Sequence, residues 1–249
     1  MSKLTKVAIM PRQSLTAMKV ALGLRAQYMA IFALTAVMFT QVIGAAILSG
    51  EVKAVGATDF VTTWKTDNPG TSNANQISLP IIGVNYDVDW GDGNIQTGNT
   101  TNPDYVGGAL THTYASPGTY TVRVSGQYSR VQCSYQYTDC QYKLLSVDQW
   151  GDNHWTTMES AFAGTKNLQI VAPDVPDLSG VTSMHAMFIS SNFNSSINHW
   201  DTSNVTDMSW MFLSAQSFNQ PLDNWDTSNV TDMSAMFWTA KAFNQPLNS

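Results

Sequence analysis

Cysteine, histidine and positive charge are scarce in this chain. Its 249 residues include two Cys and four His, and 12 Lys and Arg stand against 18 Asp and Glu. A nucleic-acid-binding surface needs many Lys and Arg to neutralise phosphates, so the acidic balance argues against a nucleic-acid partner. A structural zinc site needs four closely spaced Cys or His ligands, and the cysteine pair has no second pair or histidine nearby.

Motifs of known catalytic sites are also absent from the sequence. There is no G-x-S-x-G, no H-E-x-x-H and no phosphate-binding loop. None of the four histidines lies in a recognised catalytic motif: His112, His154, His185 and His199. We therefore predict that the protein is not an enzyme and uses no cofactor. The alternative is an active site assembled by folding from distant Ser, His and Asp residues, in an accessory part of a secreted hydrolase.

The charge is unevenly distributed along the chain. Residues 1–57 carry six basic residues and one acid, whereas the remainder carries 17 acids and six basic residues. The 25 residues between Arg25 and Glu51 are uncharged, which is long enough for a helix that crosses a bilayer. Val55-Gly-Ala57 has the small residues that a signal peptidase requires. Residues 1–57 are predicted to be a cleaved signal peptide or an uncleaved signal anchor, and both place residues 58–249 outside the cytoplasm.

The two cysteines, Cys133 and Cys140, are separated by six residues. In an exported chain, a close and even-numbered pair predicts a disulfide, here across a short hairpin. Because the loop is small, we expect stabilisation near the low end of about 2–4 kcal/mol. Metal binding is the alternative.

Residues 58–146 combine short alternating strands with frequent turn residues. Thr119–Ser125 places Tyr120, Val122 and Val124 on one face, and Gly91-Asp-Gly93 allows a tight reversal. Short strands at such spacing predict an all-β sandwich.

Two motifs in this segment resemble the PKD domain, an immunoglobulin-like sandwich of cell-surface proteins. They are Val88-Asp-Trp-Gly-Asp-Gly93 and Thr111-His-Thr-Tyr-Ala-Ser-Pro-Gly-Thr-Tyr-Thr-Val122. The glycines would form a hairpin, and Trp90, Tyr114 and Tyr120 would fill the space between two sheets.

Three carboxylates near the first motif are weak calcium candidates: Asp87, Asp89 and Asp92. No complete calcium loop with a bidentate Glu follows them. The favoured interpretation is that Asp92 binds turn amides, while Asp87 and Asp89 point outward from a strand.

The last third of the chain repeats itself. The segment from Trp200 to Phe212 returns almost unchanged from Trp225 to Phe237, a spacing of 25 residues, and each copy is followed by Phe-Asn-Gln-Pro-Leu. Two irregular copies precede these, beginning near Trp150. Such a period predicts a solenoid over residues 147–249, with about four repeats and a truncated end.

Stacked coils must bury the same positions in each repeat. We predict an extended segment around each repeat Trp, an inward Asn at the following bend (Asn204 and Asn229), and helical spacing from Met233 to Ala240, in an α/β leucine-rich-repeat-like coil. The predicted interior positions are Trp200, Val205, Met208, Met211, Phe212, Phe218, Trp225, Val230, Met233, Met236, Phe237 and Phe243.

The repeat resembles that of BspA-like bacterial surface proteins. The matching residues are Trp-Asp-Thr-Ser-Asn-Val-Thr-Asp-Met-Ser-x-Met-Phe and Phe-Asn-Gln-Pro-Leu, close in two copies and weaker in the first two. The resemblance implies display on the cell surface or secretion, and adhesion to a protein or glycan of a host, a matrix or a neighbouring cell. Specificity is predicted at variable outward positions, such as Trp210 against Ala235. The alternative is a structural spacer that holds a missing C-terminal domain.

Overall fold

The structure is a computed structural model that describes residues 58–101, 109–133 and 138–247. Within these residues, the strands are β1 (Phe60–Lys65), β2 (Gln76–Leu79), β3 (Ile81–Asp89), β4 (Ile95–Thr101), β5 (Leu110–Thr113), β6 (Thr119–Val131), β7 (Leu144–Gln149) and β8 (Gln169–Ile170). One short helix, α1 (Thr138–Tyr142), lies between β6 and β7. The predicted signal peptide or anchor lies outside the described residues. None of the helices in the described part of the chain is long and apolar enough to cross a membrane.

The strands form two sheets. The larger has six strands in the order β4-β3-β6-β1-β7-β8, and the smaller pairs β2 with β5. All neighbouring strands are antiparallel except β7 and β8, which are parallel. Alternation in β6 buries Val122 and Val124 completely, and these belong to the same hydrophobic core as Ile77 and Leu79 of β2. The prediction of a largely β fold is confirmed.

A cluster of stacked rings lies beside the turn that follows β3. Trp90 stacks on His112 at 4.7 Å, and Tyr114 stacks on Tyr120 at 3.7 Å between ring centroids. The Tyr114 hydroxyl donates to the carbonyl of Trp90 at 3.0 Å. The turn requires glycine at position 91, because φ is +76° there and a Cβ would lie 2.3 Å from the carbonyl oxygen of Thr121.

A disulfide joins Cys133 to Cys140, and both residues are fully buried. Cys140 lies in α1 rather than in a hairpin strand. The bridge therefore connects the end of β6 to the helix that precedes β7.

A buried ion pair organises the loop between β1 and β2. Lys143 lies 3.7 Å from Asp139, and both side chains are fully buried. The Lys143 ammonium also donates to the hydroxyl of Ser72 at 2.7 Å and to the carbonyl of Gln76 at 2.9 Å, while the Asp139 carboxylate accepts the N–H of Ser78 at 2.9 Å. Burial lowers the pKa of Lys143, although the charge of Asp139 opposes this shift.

The β-rich segment and the repeats share one core. Strand β7 pairs with β1 on one side and, on the other, with β8, which belongs to the first repeat. Between them, the Trp155 ring meets Phe60 at 5.1 Å and Tyr128 at 5.6 Å, both edge to face. The described residues form a single compact unit. The boundary predicted between residues 146 and 147 falls inside β7, because this strand is shared by the two segments.

Each repeat contributes one segment of consecutive tight turns, which we call a turn ladder: residues 158–165, 184–191, 208–215 and 233–240. Within the third ladder, the N–H of Leu213 donates to Trp210 at 3.0 Å and that of Ala215 to Phe212 at 3.0 Å. Two residues in each ladder have positive φ: Ser160 and Gly164, Ala186 and Ser190, Trp210 and Ser214, Ala235 and Thr239.

The helix expected from Met233 to Ala240 is therefore wrong. An α-helix needs negative φ throughout and N–H groups directed along its axis. Here φ is positive at every fourth residue, and every second N–H group points sideways to the next coil. The strand expected around each Trp is also misplaced, because parallel bridges join Ser183 to Asp207 and Asp207 to Asp232.

Except for reverse bonds such as that from the N–H of Thr206 to the carbonyl of Thr182, the backbone bonds between coils run in one direction, from each ladder to the next. The N–H of Phe162 donates to Met187 at 3.0 Å, and the N–H of Phe188 donates to Met211 at 2.9 Å. The third ladder donates to residues 232, 234, 236 and 238 of the fourth in the same way. Each ladder therefore has an edge of N–H donors and an opposite edge of carbonyl acceptors.

Phenylalanine rings form two columns inside the array. In the first column, Phe162, Phe188, Phe212 and Phe237 follow one another at 5.8, 5.6 and 5.4 Å. In the second, Phe193, Phe218 and Phe243 follow at 6.0 and 5.9 Å.

The predicted interior positions differ in burial according to their coil. Eight are buried: Trp200, Val205, Met208, Met211, Phe212, Phe218, Trp225 and Met236. Val230, Phe237 and Phe243 are half-buried, and Met233 is 44% exposed. All four of these lie in the fourth coil, whose outer side is not covered by another described coil.

The asparagines at the predicted bend do not point inward. Asn204 and Asn229 are exposed, and the Asn229 side chain donates to the carbonyl of Ser203 at 2.7 Å. A different set bonds successive coils. The N–H of Asn219 donates to the Asn194 side chain, and that of Asn244 to the Asn219 side chain, both at 2.9 Å. These belong to the Phe-Asn segment, where the chain turns between the two Phe columns.

Candidate functional site

The three calcium candidates hold backbone turns. Asp87 accepts the N–H of Gly98 at 3.0 Å and Asp89 accepts that of Gly91 at 2.9 Å. Asp92 accepts the N–H of Asn94 at 3.0 Å. In the described ranges, no group of three or more His, Cys, Asp or Glu side chains could hold a metal ion. The geometry assigns these carboxylates to the turns around β4.

Asp92 also binds a histidine. Its second oxygen lies 2.9 Å from Nε2 of His112, whose ring stacks on Trp90. Burial tends to raise the pKa of Asp92, but the hydrogen bonds from His112 and Asn94 outweigh it and lower the pKa below its usual value. The pair therefore connects β5 to the turn after β3.

Two further histidines each contact a polar side chain of the following coil. His154 contacts Asp177 of the second coil. His185 Nδ1 lies 2.7 Å from the hydroxyl of Ser209, which donates to Asp207 at 2.6 Å. In a catalytic triad, histidine lies between the serine and the aspartate. Here serine takes the middle position, so its proton is directed to the carboxylate and not to the imidazole.

Exposed tryptophans lie on the turn ladders of the third and fourth coils. Trp210 is 46% exposed and Trp238 is 66% exposed. At the positions equivalent to Trp210, the other ladders carry the small residues Ser160, Ala186 and Ala235. Trp210 is therefore a large aromatic residue at a position where the repeat otherwise has a small side chain.

The backbone of Trp210 is strained. Its φ is +59°, a conformation that costs a non-glycine residue about 1–2 kcal/mol. Its ring lies 5.5 Å from that of His185 in the preceding coil. Ser160, Ala186 and Ala235 share this positive φ, so the conformation belongs to the repeat, whereas the exposed ring is particular to Trp210. An exposed Trp is a frequent centre of binding surfaces. We define the Trp210 surface as His185, Trp210, Leu213 and Trp238, which lie on adjacent ladders.

A polar cleft of about 720 Å³ opens beside β8. It is lined by Asn68, Leu145, Lys166, Asn167, Leu168, Gln169, Asn192, Asn194 and Ser195. The Asn167 amide donates to the carbonyl of Tyr142 at 2.6 Å, and Lys166 donates to that of Ser190 at 2.5 Å. Among the described residues, no partner binds the side-chain amides of Gln169 and Asn192. The cleft can therefore offer amide donors and acceptors to a polar ligand.

A less polar cavity of about 570 Å³ lies between the six-stranded sheet and the first coil. Gly83 and Tyr128 line one side, and Asn153 and His154 line the other. The Nδ2 atom of Asn153 is buried and has no hydrogen-bond partner in the described part of the chain. This cavity forms only where the two segments meet.

The sequence singled out Trp210 but missed the two cavities. Comparison of equivalent repeat positions identifies Trp210 because its counterpart, Ala235, is small. The polar cleft combines Asn68, from a loop of the first segment, with residues of irregular repeats. No periodic pattern marks such residues, so alignment of the repeats could not have found them.

A match to a known protein family lies in the repeats. Residues 156–249 match the family described as "Mycoplasma protein of unknown function, DUF285". The match begins just before the first turn ladder and does not include β1 to β7. No curated protein and no solved structure matches the chain. The C-terminal region is thus similar to a family whose function is itself not known.

Proposed function

We propose that this is an exported cell-surface protein that binds a protein or glycan through its repeat array and does not catalyse a reaction. The proposed ligand belongs to a host, a matrix or a neighbouring cell. The observation that carries the proposal is Trp210, an exposed aromatic residue on an array whose equivalent positions are small.

The division between interior and surface supports this proposal. Phe212 occupies a stacked position that is Phe in all four coils. The side chains on the outside of the ladders differ from coil to coil. A conserved interior with variable exposed positions allows one backbone to present different ligand-binding residues.

We infer more specific relationships for the two segments. Two sheets with a shared core, a Gly91 turn and the rings of Trp90 and Tyr114 support a PKD-like sandwich for residues 58–146. Stacked coils of about 25 residues support a BspA-like repeat for residues 147–249, with turn ladders in place of helices.

Export is part of the proposal. It is supported by the uncharged segment between Arg25 and Glu51, and by a disulfide between Cys133 and Cys140, a bond that persists in oxidising compartments. Intact mass of the protein in membrane and medium fractions tests it. A species beginning at Thr58 or a membrane-bound full chain supports export, whereas a cytoplasmic full chain would refute it.

Binding is tested with the purified protein on arrays of glycans and extracellular-matrix proteins. We expect Trp210→Ala to weaken binding of a recognised ligand at least tenfold, because truncation of a central Trp typically costs about 2 kcal/mol or more. Val175→Ala is the control, since Val175 is 50% exposed but lies outside the Trp210 surface. The proposal fails if the folded protein binds nothing, or if both variants bind like the wild type.

A structural spacer is the second candidate. It is favoured by the continuous core from the sheet through the fourth coil, which would transmit force along the array. A spacer needs no ligand, so this alternative predicts a folded protein that binds nothing on the glycan and matrix arrays.

A further inference from the structure

Lys166 brings a positive charge into the polar cleft beside β8. Residues 58–249 carry 17 acids and only six basic residues, yet none of the nine residues that line this cleft is acidic. Lys166 is half-buried, and among the described residues no carboxylate lies within ion-pair distance of its ammonium. The cleft therefore presents a lysine charge that the described part of the chain does not neutralise.

The contact between coils does not require this charge. Lys166 directly follows the first turn ladder, and its ammonium donates to the carbonyl of Ser190 in the next coil at 2.5 Å. Gln216 directly follows the third ladder, and its amide donates at 2.7 Å to the carbonyl of Thr239, which is the position equivalent to Ser190. A neutral glutamine thus makes the same bond between coils, so the charge of Lys166 is available to a ligand.

Most of the other side chains that line the cleft are amides, and backbone groups determine how three of them are turned. The Nδ2 atoms of Asn68 and Asn167 donate to the carbonyl of Tyr142 at 2.8 and 2.6 Å, which leaves each Oδ1 as an acceptor. Asn194 is turned the opposite way, because its Oδ1 accepts the N–H of Asn219 at 2.9 Å and its Nδ2 remains a donor. The cleft therefore combines acceptors and donors of fixed orientation.

This set of groups matches a sugar that carries a carboxylate. Sugar hydroxyls both donate and accept hydrogen bonds, so they can use both kinds of amide atom. A carboxylate forms a charge-assisted hydrogen bond with a lysine ammonium. Leu145 adds apolar surface for the C–H groups of a sugar ring, and the cleft volume of about 720 Å³ is typical of small-molecule sites.

We propose that the polar cleft binds an acidic saccharide, with its carboxylate on Lys166 and its hydroxyls on the surrounding amides. A simple anion would use the charge but not the amides, and a neutral sugar would leave the lysine without a counter-charge. The cleft shares no residue with the Trp210 surface. This second site therefore goes beyond the proposed function and does not depend on it.

The test measures binding of the full chain to an array of oligosaccharides that contain uronic or sialic acids, each beside its carboxyl-reduced counterpart. We expect at least one acidic member to bind saturably and about tenfold more tightly than its reduced form, as expected for the loss of one charge-assisted hydrogen bond. Binding of no acidic member, or equal binding of the two forms, would overturn the proposal.

Lys166→Gln removes the charge but retains a donor for the carbonyl of Ser190, as Gln216 does for Thr239. Lys241→Gln is the matched control, because Lys241 directly follows the fourth ladder but lies outside the cleft. We expect Lys166→Gln to bind the acidic saccharide about tenfold more weakly than Lys241→Gln, which should bind like the wild type. Equal affinities of the two variants would contradict the proposal.

Asn192→Ala tests the amides without a change of charge. Asn192 is exposed and lines the cleft, and its side chain has no hydrogen-bond partner among the described residues. We therefore expect unchanged thermal stability and about two- to fivefold weaker binding of the acidic saccharide. An unchanged affinity would contradict the part assigned to the amides.

Trp210→Ala separates the cleft from the Trp210 surface, and it should leave binding of the acidic saccharide unchanged. Weakening by Trp210→Ala but not by Lys166→Gln would assign the saccharide to the Trp210 surface. Complete displacement of the saccharide by an equal concentration of inorganic phosphate would make the cleft a simple anion site. Either of these results would contradict the proposal.

Discussion

Replacement of Phe212 by Ala should separate the third coil from the fourth. Phe212 is fully buried, and its ring lies 5.6 Å from Phe188, 5.4 Å from Phe237 and 4.0 Å from Phe218. Truncation of a buried Phe costs about 3–5 kcal/mol through lost transfer energy and the cavity left behind. This is a large part of the roughly 5–15 kcal/mol by which a domain is stable.

Phe237→Ala is the matched comparison. Phe237 occupies the same repeat position but is only half-buried, and among the described rings it stacks on Phe212 and Phe243 alone. Because less apolar surface is removed from the core, we expect its cost to be roughly half that of Phe212→Ala. The assay is urea unfolding of each variant, followed by tryptophan fluorescence and far-UV circular dichroism.

The location of the effect is as informative as its size. In an array of stacked repeats, each coil contacts only its neighbours. We therefore expect Phe212→Ala to loosen the fourth coil before the six-stranded sheet unfolds, so that the two probes no longer coincide. Equal losses in the two variants, or a loss below about 1 kcal/mol for Phe212→Ala, would refute the stacked-column account.

Three other perturbations test the first segment, each by denaturant unfolding. Lys143→Met is expected to destabilise by about 3–5 kcal/mol, because it leaves the buried carboxylate of Asp139 unpaired, and a cost near zero would contradict this. Asp92→Asn should cost roughly 1 kcal/mol at pH 7, since the hydrogen bonds to its carboxylate are charge-assisted. The pKa of Asp92 is lowered on folding, so this stabilisation is present above the unfolded-state pKa and is lost as the pH falls through the folded-state pKa. A stability difference between Asp92→Asn and the wild type that persists at the lowest pH would contradict this expectation. Reduction of the Cys133–Cys140 disulfide should cost about 2 kcal/mol because its loop is short, and a double Ser variant should then be insensitive to reductant.

The repeats allowed the buried positions of the array to be predicted from the sequence. Positions that recur in every coil, such as Phe212 and Met208, are buried because stacking encloses the same face each time. The exposure of Met233 was not evident from its own pattern. Its sequence environment matches that of Met208, and only the neighbouring coil distinguishes them.

The turn ladders could not be read from periodicity. Met-x-x-Met-Phe has the spacing of a helix, yet every fourth residue of the ladder has the positive φ of a left-handed conformation. Glycine is the usual indication of positive φ, but Gly164 is the only glycine among the ladder residues that adopt it. Bonds to the next coil stabilise Ser, Ala and Trp in this conformation, which is a tertiary effect.

The shared core at the junction of the two segments could not be predicted from local sequence patterns either. Strand β7 looked like the end of one domain, but it joins β1 to β8 across a long stretch of sequence. The rings of Phe60 and Trp155 then meet across this junction at 5.1 Å. Contacts between residues so far apart leave no periodic trace in the sequence.

Amide hydrogen exchange of the free protein, resolved residue by residue by NMR, most directly tests the one-directional ladder on which the account of the array depends. The N–H groups of the third ladder that donate to the fourth coil should exchange slowly: Met208, Trp210, Phe212 and Ser214. The equivalent N–H groups of the fourth ladder, those of Met233, Ala235, Phe237 and Thr239, should exchange rapidly, because they have no acceptor among the described residues. Similar protection in both sets, or rapid exchange in the third ladder, would contradict the account.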